Sequence, residues 1–404
     1  MTAAAPEDVN ASAGPSKPDG PAHFHHLTAE VHDHLFMHRP EPLSDTWSTR
    51  RLAVALGATL YVPATRPDLA EVITRRYAGG VLSMVIDLED AVADHQESEA
   101  IASAVRALHD LEGTAAGAMM LFVRVRTAAQ IGTLTALLGS SEVLSGFVIP
   151  KFGADDAEAA LRAVHDAGVT LGRHLWAMPV LESAALVHRE TRDDELAAIA
   201  TALDAHRDDV LAVRIGATDM CGLFGIRRDR DLTIYDVRVA ADAIAGIVNI
   251  LGRSDPSGHI ITGPVWEYFA DHERRFAPTL RHTPFRDHDA VWFRQQLVSR
   301  DIDGLLREIA LDRANGMHGK TVIHPAHVAP VHALSSVTHE EYHDALDILA
   351  ADTGGAQASS YRNKMNELKP HRHWATRVMD RAAAFGVTNS GISFVDLLTA
   401  LDAA

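Results

Sequence analysis

Residues 58–90, ATLYVPATRPDLAEVITRRYAGGVLSMVIDLED, contain the pattern that is most informative about the fold. Short apolar runs at 58–64 and 81–90 are separated by a longer segment. Runs rich in Val, Ile, Leu and Met are typical of parallel strands that are buried on both faces. Six further runs repeat the pattern: MMLFVRVR (119–126), SGFVIPK (145–151), LWAMPVLE (175–182), VLAVRIGATD (210–219), HIITGP (259–264) and KTVIHP (320–325).

The segments between these runs have helical spacing, as in DDAEAALRAVHDAG (155–168) and IDGLLREIALDRANG (302–316). Eight strands that alternate with helices over about 270 residues predict a closed parallel (β/α)8 barrel, the TIM barrel. A doubly wound open sheet is the competing prediction. It is less favoured because no GxGxxG motif follows the first run, as a dinucleotide-binding fold would require.

The chain of 404 residues is long enough for a barrel of about 250 residues with additions. We predict a largely disordered N-terminal arm at 1–45, a barrel domain at 46–335 and a helical C-terminal appendage at 336–404. Residues 264–288 are predicted to be an insertion after the seventh strand. Such a loop lies on the catalytic face of a barrel, so it forms either a lid or a surface that packs on a neighbour.

The predicted arm is rich in histidine. Metal binding is one interpretation of this cluster, but the lack of cysteine or of close finger spacing favours a polar arm lying on the surface. The six histidines are His23, His25, His26, His32, His34 and His38.

The charge balance excludes two classes of partner. The chain has 54 acidic and 37 basic residues, for a formal net charge of −17. Such a surface repels nucleic acid and anionic membranes, so we expect neither as a partner. Cys221 is the only cysteine, and no secretory signal or long apolar run is evident, so we expect a cytoplasmic protein.

Charged side chains end or follow most of the predicted strands. Barrel enzymes keep their chemistry at the carboxyl ends of the strands, and buried charges are costly unless they pair or bind ions. Glu182 ends the fifth strand and Asp219 follows the sixth, and neighbouring strands lie about 4.8 Å apart. Two carboxylates so placed predict a Mg²⁺ site, although each acid could instead only cap the helix that follows it.

Two cations lie in otherwise apolar strands. Arg124, in FVRVR, can hold a substrate carboxylate or an oxyanion, or it can pair with Asp87 or Glu89. Lys151, in IPKFG, could form a Schiff base, but we favour an electrostatic role in substrate binding because the metal pair already supplies an electron sink.

The motifs and their order are similar to those of the HpcH/HpaI aldolase/citrate lyase family, which includes citrate lyase β-subunits and malyl-CoA lyase-like proteins. The similarity covers roughly residues 57–330. It rests on LYVPATRPDL, MVIDLEDAVADHQ, VRVR, IPK, PVLES, GATDM and GKTVIHPAHV, of which DLEDAV combined with IHPAHV is the most specific part.

The resemblance implies roles for individual residues. It implies Mg²⁺ bound by Glu182 and Asp219, and a substrate contact by Arg124. Arg66 matches the arginine of the first-strand motif and is expected to bind substrate, while Glu89 and Asp90 match the acidic motif that orders the catalytic site.

The expected activity is that of a Mg²⁺-dependent carbon–carbon bond lyase or aldolase. Its substrate would be a 2-oxo or 2-hydroxy carboxylate, cleaved by retro-aldol or Claisen-type chemistry, with the use of an acyl-CoA left open. The resemblance also implies a stress-response biosynthetic setting and a trimeric or hexameric homo-oligomer. Two alternatives stay open: a non-catalytic scaffold subunit, and a Schiff-base aldolase that uses Lys151.

Overall fold

A closed barrel of parallel strands forms the centre of the molecule. The structure is a computed structural model that describes residues 20–269, 302–351 and 354–403. Within these residues eight parallel strands pair in chain order, and the first strand closes the barrel on the last. The predicted TIM barrel is therefore confirmed. The strands are β1 (Ala58–Pro63), β2 (Ser83–Asp87), β3 (Met120–Arg124), β4 (Leu144–Ile149), β5 (Trp176–Leu181), β6 (Val213–Ile215), β7 (Ile261–Gly263) and β8 (His318–Val322).

Helices follow each strand and form the outer layer of the barrel. Helix Ala154–Leu171 shows why the sequence adopts this arrangement: Ala157, Leu161 and Val164 form a buried stripe at helical spacing, and Gly172 ends the helix in the left-handed conformation. The outer helices of the described residues are Leu69–Ala78, Glu97–Asp110, Ala128–Leu138, Ala154–Leu171, Ala184–Val187, Arg189–Ala205, Ala217–Gly222, Arg238–Leu251, Asp303–Ala314 and Val328–Ser335.

Strand side chains alternate between two cores. Leu60 and Val62 of β1 pack outward under the helices, whereas Tyr61 packs with Val85 and Phe122 in the barrel interior. Because successive side chains of a strand point to opposite faces, the same alternation brings other inward positions to the carboxyl end of the barrel. It is this register that aligns Asp87 of β2 with Arg124 of β3.

The predicted disordered arm is folded over residues 20–45, contrary to expectation. It contains helix Ala29–Leu35 and strand Phe36–His38, which pairs with Val387–Thr388. Phe24 is fully buried in the core at the amino end of the barrel. The apolar side chains spaced among the histidines supply the burial that a disordered segment lacks. Residues 1–19 lie outside the described residues.

The histidines do not form a purely surface-lying polar arm. His23 is buried, stacks on Phe385 with ring centroids 4.2 Å apart, and its Nε2 lies 2.8 Å from the Ala55 carbonyl oxygen. Burial lowers the pKa of His23 to about 4, so the ring is neutral at physiological pH. His23 therefore contributes to the packing of the core.

The predicted helical appendage is confirmed. Helices His339–Ala350 and Arg372–Phe385 pack on each other, and the second also contacts helix Thr49–Ala55 near the barrel. Helix Phe394–Ala403 ends the described chain. None of the described helices is long and apolar enough to cross a lipid bilayer.

A buried network of ion pairs connects the segments around β7 and β8. The Lys320 ammonium, fully buried, lies 2.9 Å from Glu308 Oε1 and 2.7 Å from Asp312 Oδ2. Arg228 also pairs with Glu308, and the Tyr235 hydroxyl donates to Asp312 at 2.7 Å. The network thus ties the loop after β6 to the helix before β8. Of the predicted insertion at 264–288, residues 264–269 are described and the remainder lie outside the described residues.

Candidate active site

An arginine surrounded by carboxylates occupies the carboxyl end of the barrel. Arg124 holds Asp87 through two parallel hydrogen bonds, Nε to Oδ1 at 2.7 Å and Nη2 to Oδ2 at 2.6 Å. Its Nη1 lies 2.8 Å from Glu89 Oε2 and 3.2 Å from Asp90 Oδ2. Although burial opposes it, hydrogen bonding to Asp87 raises the pKa of Arg124, so the guanidinium stays charged. The pairing of Arg124 with Asp87 and Glu89, which the sequence suggested as one possibility, is therefore present.

Two backbone contacts hold the segment that carries Glu89 and Asp90. The Asp87 carboxylate accepts the Glu89 backbone N–H at 3.0 Å, and Arg126 donates to the Leu88 carbonyl oxygen at 2.8 Å. Such fixed backbone contacts orient the two acids toward the barrel mouth without relying on their own side chains.

Lys151 connects this acidic segment to Glu182. Its Nζ pairs with the Glu89 carboxylate, and its backbone N–H donates to Glu182 Oε1 at 2.8 Å. Lys151 has a φ of 50°, in the left-handed region that a non-glycine residue adopts at a cost in free energy. In this backbone conformation Lys151 contacts two different acids, Glu89 through its Nζ and Glu182 through its backbone N–H.

Glu182 is a buried carboxyl directly after β5. Gly216, which follows β6, makes room for it: a Cβ at position 216 would lie 1.7 Å from Glu182 Oε2. The φ of Gly216 is −95°, which any residue can adopt, so the requirement for glycine is the space occupied by this carboxylate.

Asp219 lies in the first turn of helix Ala217–Gly222, close enough to act on Glu182. Burial raises the pKa of Glu182 to about 8; Asp219 and Glu89 add to the effect, and the Lys151 N–H opposes it. Next to Asp219, the Thr218 hydroxyl donates to Glu267 Oε1 at 2.8 Å, and Glu267 lies 3.6 Å from Arg228. The buried network of ion pairs therefore extends to the residue beside Asp219.

These residues suit a divalent cation. Among the described residues, no group of three or more His, Cys, Asp or Glu side chains is arranged to hold a metal. Mg²⁺ does not require one, because it is commonly bound by one or two carboxylates with water and substrate oxygens. Glu182 and Asp219 are two nearby acids, and Glu182 is buried in a space that depends on glycine at position 216. A bound cation would neutralise their negative charge.

Most of the predicted site residues lie in this one cluster. Contacts or charge interactions link Glu89, Asp90, Arg124, Lys151, Glu182 and Asp219. Arg66 does not join it: its Nε lies 3.3 Å from Asp68 Oδ1 in the loop after β1, with its side chain 48% exposed.

Three residues of the site region escaped the sequence analysis. Tyr61 and Arg214 lie in the barrel interior next to the cluster, and Gly216 accommodates Glu182. Arg214 carried a usable signal, since a charged residue within the apolar run VLAVRIG resembles Arg124 within FVRVR. Tyr61 carried none, because an aromatic residue is ordinary in a strand.

Comparisons with known proteins give a family and a fold. A family model described as C–C bond lyase of the TIM-barrel fold matches residues 50–387. The CitE protein of Mycobacterium tuberculosis, solved with magnesium, acetoacetate and coenzyme A, is 21% identical, with a TM-score of 0.51 over 81% of this chain and 99% of that one. A citrate lyase from Burkholderia xenovorans LB400 is 15% identical, with a TM-score of 0.58 over 85% and 96%. No curated protein matched the chain.

Proposed function

The chain belongs to the C–C bond lyases of the TIM-barrel fold, and from this membership we propose that it is a Mg²⁺-dependent enzyme that cleaves or forms a carbon–carbon bond in a 2-oxo or 2-hydroxy carboxylate. The membership confirms the resemblance found in the motifs. We further propose the chemistry to be of the retro-aldol or Claisen type, in a stress-response biosynthetic pathway. Whether the substrate carries coenzyme A is left open.

The observation that carries this proposal is the pairing of Glu182 with Asp219 at the ends of adjacent strands. The burial of Glu182, its raised pKa and the space left by Gly216 all fit a carboxylate that is charged when a cation is bound. The magnesium in the M. tuberculosis CitE structure supports the choice of metal, and its acetoacetate supports a carboxylate substrate.

In this proposal the residues of the chain bind and orient the substrate. Mg²⁺ held by Glu182 and Asp219 would supply Lewis-acid polarisation of substrate oxygens. Arg124, kept charged by Asp87, would attract the substrate carboxylate and stabilise developing negative charge. Glu89 and Asp90 hold Arg124 and Lys151 in place, while Arg66 and Lys151 would bind substrate at the rim.

A Schiff-base mechanism through Lys151 is less favoured. Burial alone would lower the pKa of Lys151, but its hydrogen bond to Glu89 outweighs that effect and the pKa is raised. An amine that attacks a carbonyl must be neutral, so the arrangement is opposite to what this chemistry requires. The charged ammonium suits electrostatic binding.

The test of the proposal is metal-dependent product release. We expect the purified chain to bind Mg²⁺ in a calorimetric titration and to release a 2-oxo acid, such as pyruvate or glyoxylate, from a 2-hydroxy acid or its thioester. EDTA should abolish the release and added Mg²⁺ should restore it. A chain that binds no Mg²⁺ would instead favour the non-catalytic scaffold. The cytoplasmic location and the trimeric or hexameric state remain predictions.

Metal affinity should depend on pH. Because Glu182 has a pKa of about 8 without metal, Mg²⁺ must displace a proton from it at neutral pH. The apparent association constant should rise by about tenfold per pH unit below that pKa and level off above it. Without metal, stability should fall as pH rises from the usual carboxyl range toward 8, because the unfolded chain releases this proton first.

The measurement is calorimetry in buffers of different ionisation enthalpy, which reports the protons released per Mg²⁺ bound. Glu182→Gln serves as the reference, since any residual binding by this variant should lose the pH dependence. An association constant that does not change between about pH 6.5 and pH 8.5 would contradict the assignment of Glu182.

A further inference from the structure

Tyr61 lies in the barrel interior, next to charged residues of the candidate active site. It projects inward from β1, and its ring meets guanidinium groups from two other strands. The Arg124 Cζ lies 5.3 Å from the ring centroid and the Arg214 Cζ lies 5.6 Å from it. Since these arginines belong to β3 and β6, the ring must span the barrel interior between them.

The Tyr61 hydroxyl makes no hydrogen bond with any described residue, and the side chain is half-buried. Asp87 and Glu182 are both close enough to influence its pKa. The phenol therefore lies near both Arg124 and Glu182, one of the proposed metal ligands.

Arg214 is a buried cation with no acidic partner among the described residues. It is 1% exposed, and its hydrogen bonds go to the hydroxyls of Thr59 and Thr321 and to the sulfur of Met178. Its Nε, also buried, has no hydrogen-bond partner. A buried charge left without a counter-ion is costly, so a functional reason for its retention is expected.

We propose that Tyr61 is a further catalytic residue of this site, whose hydroxyl donates a hydrogen bond to the substrate oxygen that becomes negative as the carbon–carbon bond breaks. Arg214 is its positioning residue, with a guanidinium 5.6 Å from the ring centroid. No proton is transferred in this role; the O–H bond of Tyr61 remains intact throughout. The inference rests on the proposed function and deepens it.

Three physical features support this role. Burial raises the pKa of Tyr61, so the hydroxyl keeps its proton and remains a donor at neutral pH. Guanidinium groups from two strands make the surroundings favourable for an anionic oxygen. The ring is fixed by packing against both arginines, so the donor is oriented before the substrate binds and little reorganisation is needed during reaction.

Calorimetry with oxalate tests the inference, because oxalate carries the charged oxygens of an enolate of pyruvate, whereas pyruvate itself carries a neutral ketone. In the full chain with saturating Mg²⁺, Tyr61→Phe should bind oxalate about 10- to 100-fold more weakly than the wild type. Binding of pyruvate should change by less than about threefold, because a neutral oxygen gains little from the donor. Phe keeps the ring and its contacts with both arginines.

Tyr77→Phe is the matched control, because Tyr77 is a half-buried tyrosine on helix Leu69–Ala78, stacked on His25 outside the site. This control should bind both ligands as the wild type does. For Arg214, the methionine variant should weaken oxalate more than pyruvate, and the lysine variant should recover most of the loss. A merely structural role would weaken both ligands equally.

The outcomes separate the two proposals. Equal oxalate binding by Tyr61→Phe and wild type would overturn the role of Tyr61 and leave the proposed lyase function intact. A wild-type chain that binds neither Mg²⁺ nor oxalate would overturn the proposed function, and this inference with it. Weakening of oxalate alone in Tyr61→Phe supports both.

Discussion

Replacing Glu182 with Gln is expected to lower kcat/KM by on the order of 10³-fold, equivalent to several kcal/mol of lost transition-state stabilisation. Gln has nearly the same shape and can still accept the Lys151 N–H that the carboxylate accepts at 2.8 Å. It cannot supply the negative charge that a hard divalent cation requires. Calorimetry should show Mg²⁺ affinity reduced by about 100-fold or more, in parallel with the loss of product release.

Folding of this variant should be unaffected. The substitution removes a buried acid whose ionised form is disfavoured by burial and by Asp219, so the free energy of unfolding should be equal or slightly higher. Glu195→Gln is the matched control: Glu195 Oε1 also accepts a backbone N–H, from Ala154 at 2.9 Å, but outside the site. If both variants retain full Mg²⁺ affinity, Glu182 is not a metal ligand.

Replacing Lys320 with Met should destabilise the protein by about 3–5 kcal/mol. Met fills a similar volume, so the loss comes from charge rather than from a cavity. It leaves Glu308 and Asp312, both buried, without the ammonium that lies 2.9 and 2.7 Å from them. Urea denaturation should show the change as a lower transition midpoint with an unchanged slope.

This loss should be smaller in mild acid. Burial raises the pKa of Asp312 to about 6, with Lys320 acting to lower it. Without Lys320 the pKa should rise further, so at about pH 5 the acid is protonated and no longer an unpaired buried charge. A destabilisation that is the same at about pH 5 and pH 8 would contradict this explanation.

Lys364→Met is the control for burial. Lys364 also lies between two carboxylates, 2.6 Å from Glu340 Oε1 and 2.7 Å from Asp344 Oδ2, but its side chain is 41% exposed. Water screens the exposed ammonium, and the buried Asp344 keeps its hydrogen bonds from Ser359 and Asn366, so the expected cost is well below that at position 320. Equal costs at positions 320 and 364 would mean that burial does not control the strength of these pairs.

Much of the fold could be predicted from local pattern alone. Apolar runs at 58–64 and 81–90, separated by a helical segment, are parts of a repeat that only a few architectures satisfy, and the missing glycine-rich motif favoured the barrel. The prediction of disorder was wrong for residues 20–45. The many histidines of this segment made its apolar residues Phe24, Leu35 and Phe36 hard to recognise as core positions. Their burial depends on residues distant in the chain, such as Phe385.

The candidate site, like the fold, was only partly predictable from the sequence. From the sequence alone it was clear that charged residues end the strands, which pointed to Glu182, Asp219 and Arg124, because strand ends can be located from a local apolar pattern. The folded barrel was needed to show that Asp87 holds Arg124, that Gly216 leaves space for Glu182, and that Tyr61 contacts two arginines. Those contacts join strands far apart in the chain, and the closure and register of the barrel set their distances, which no local pattern contains.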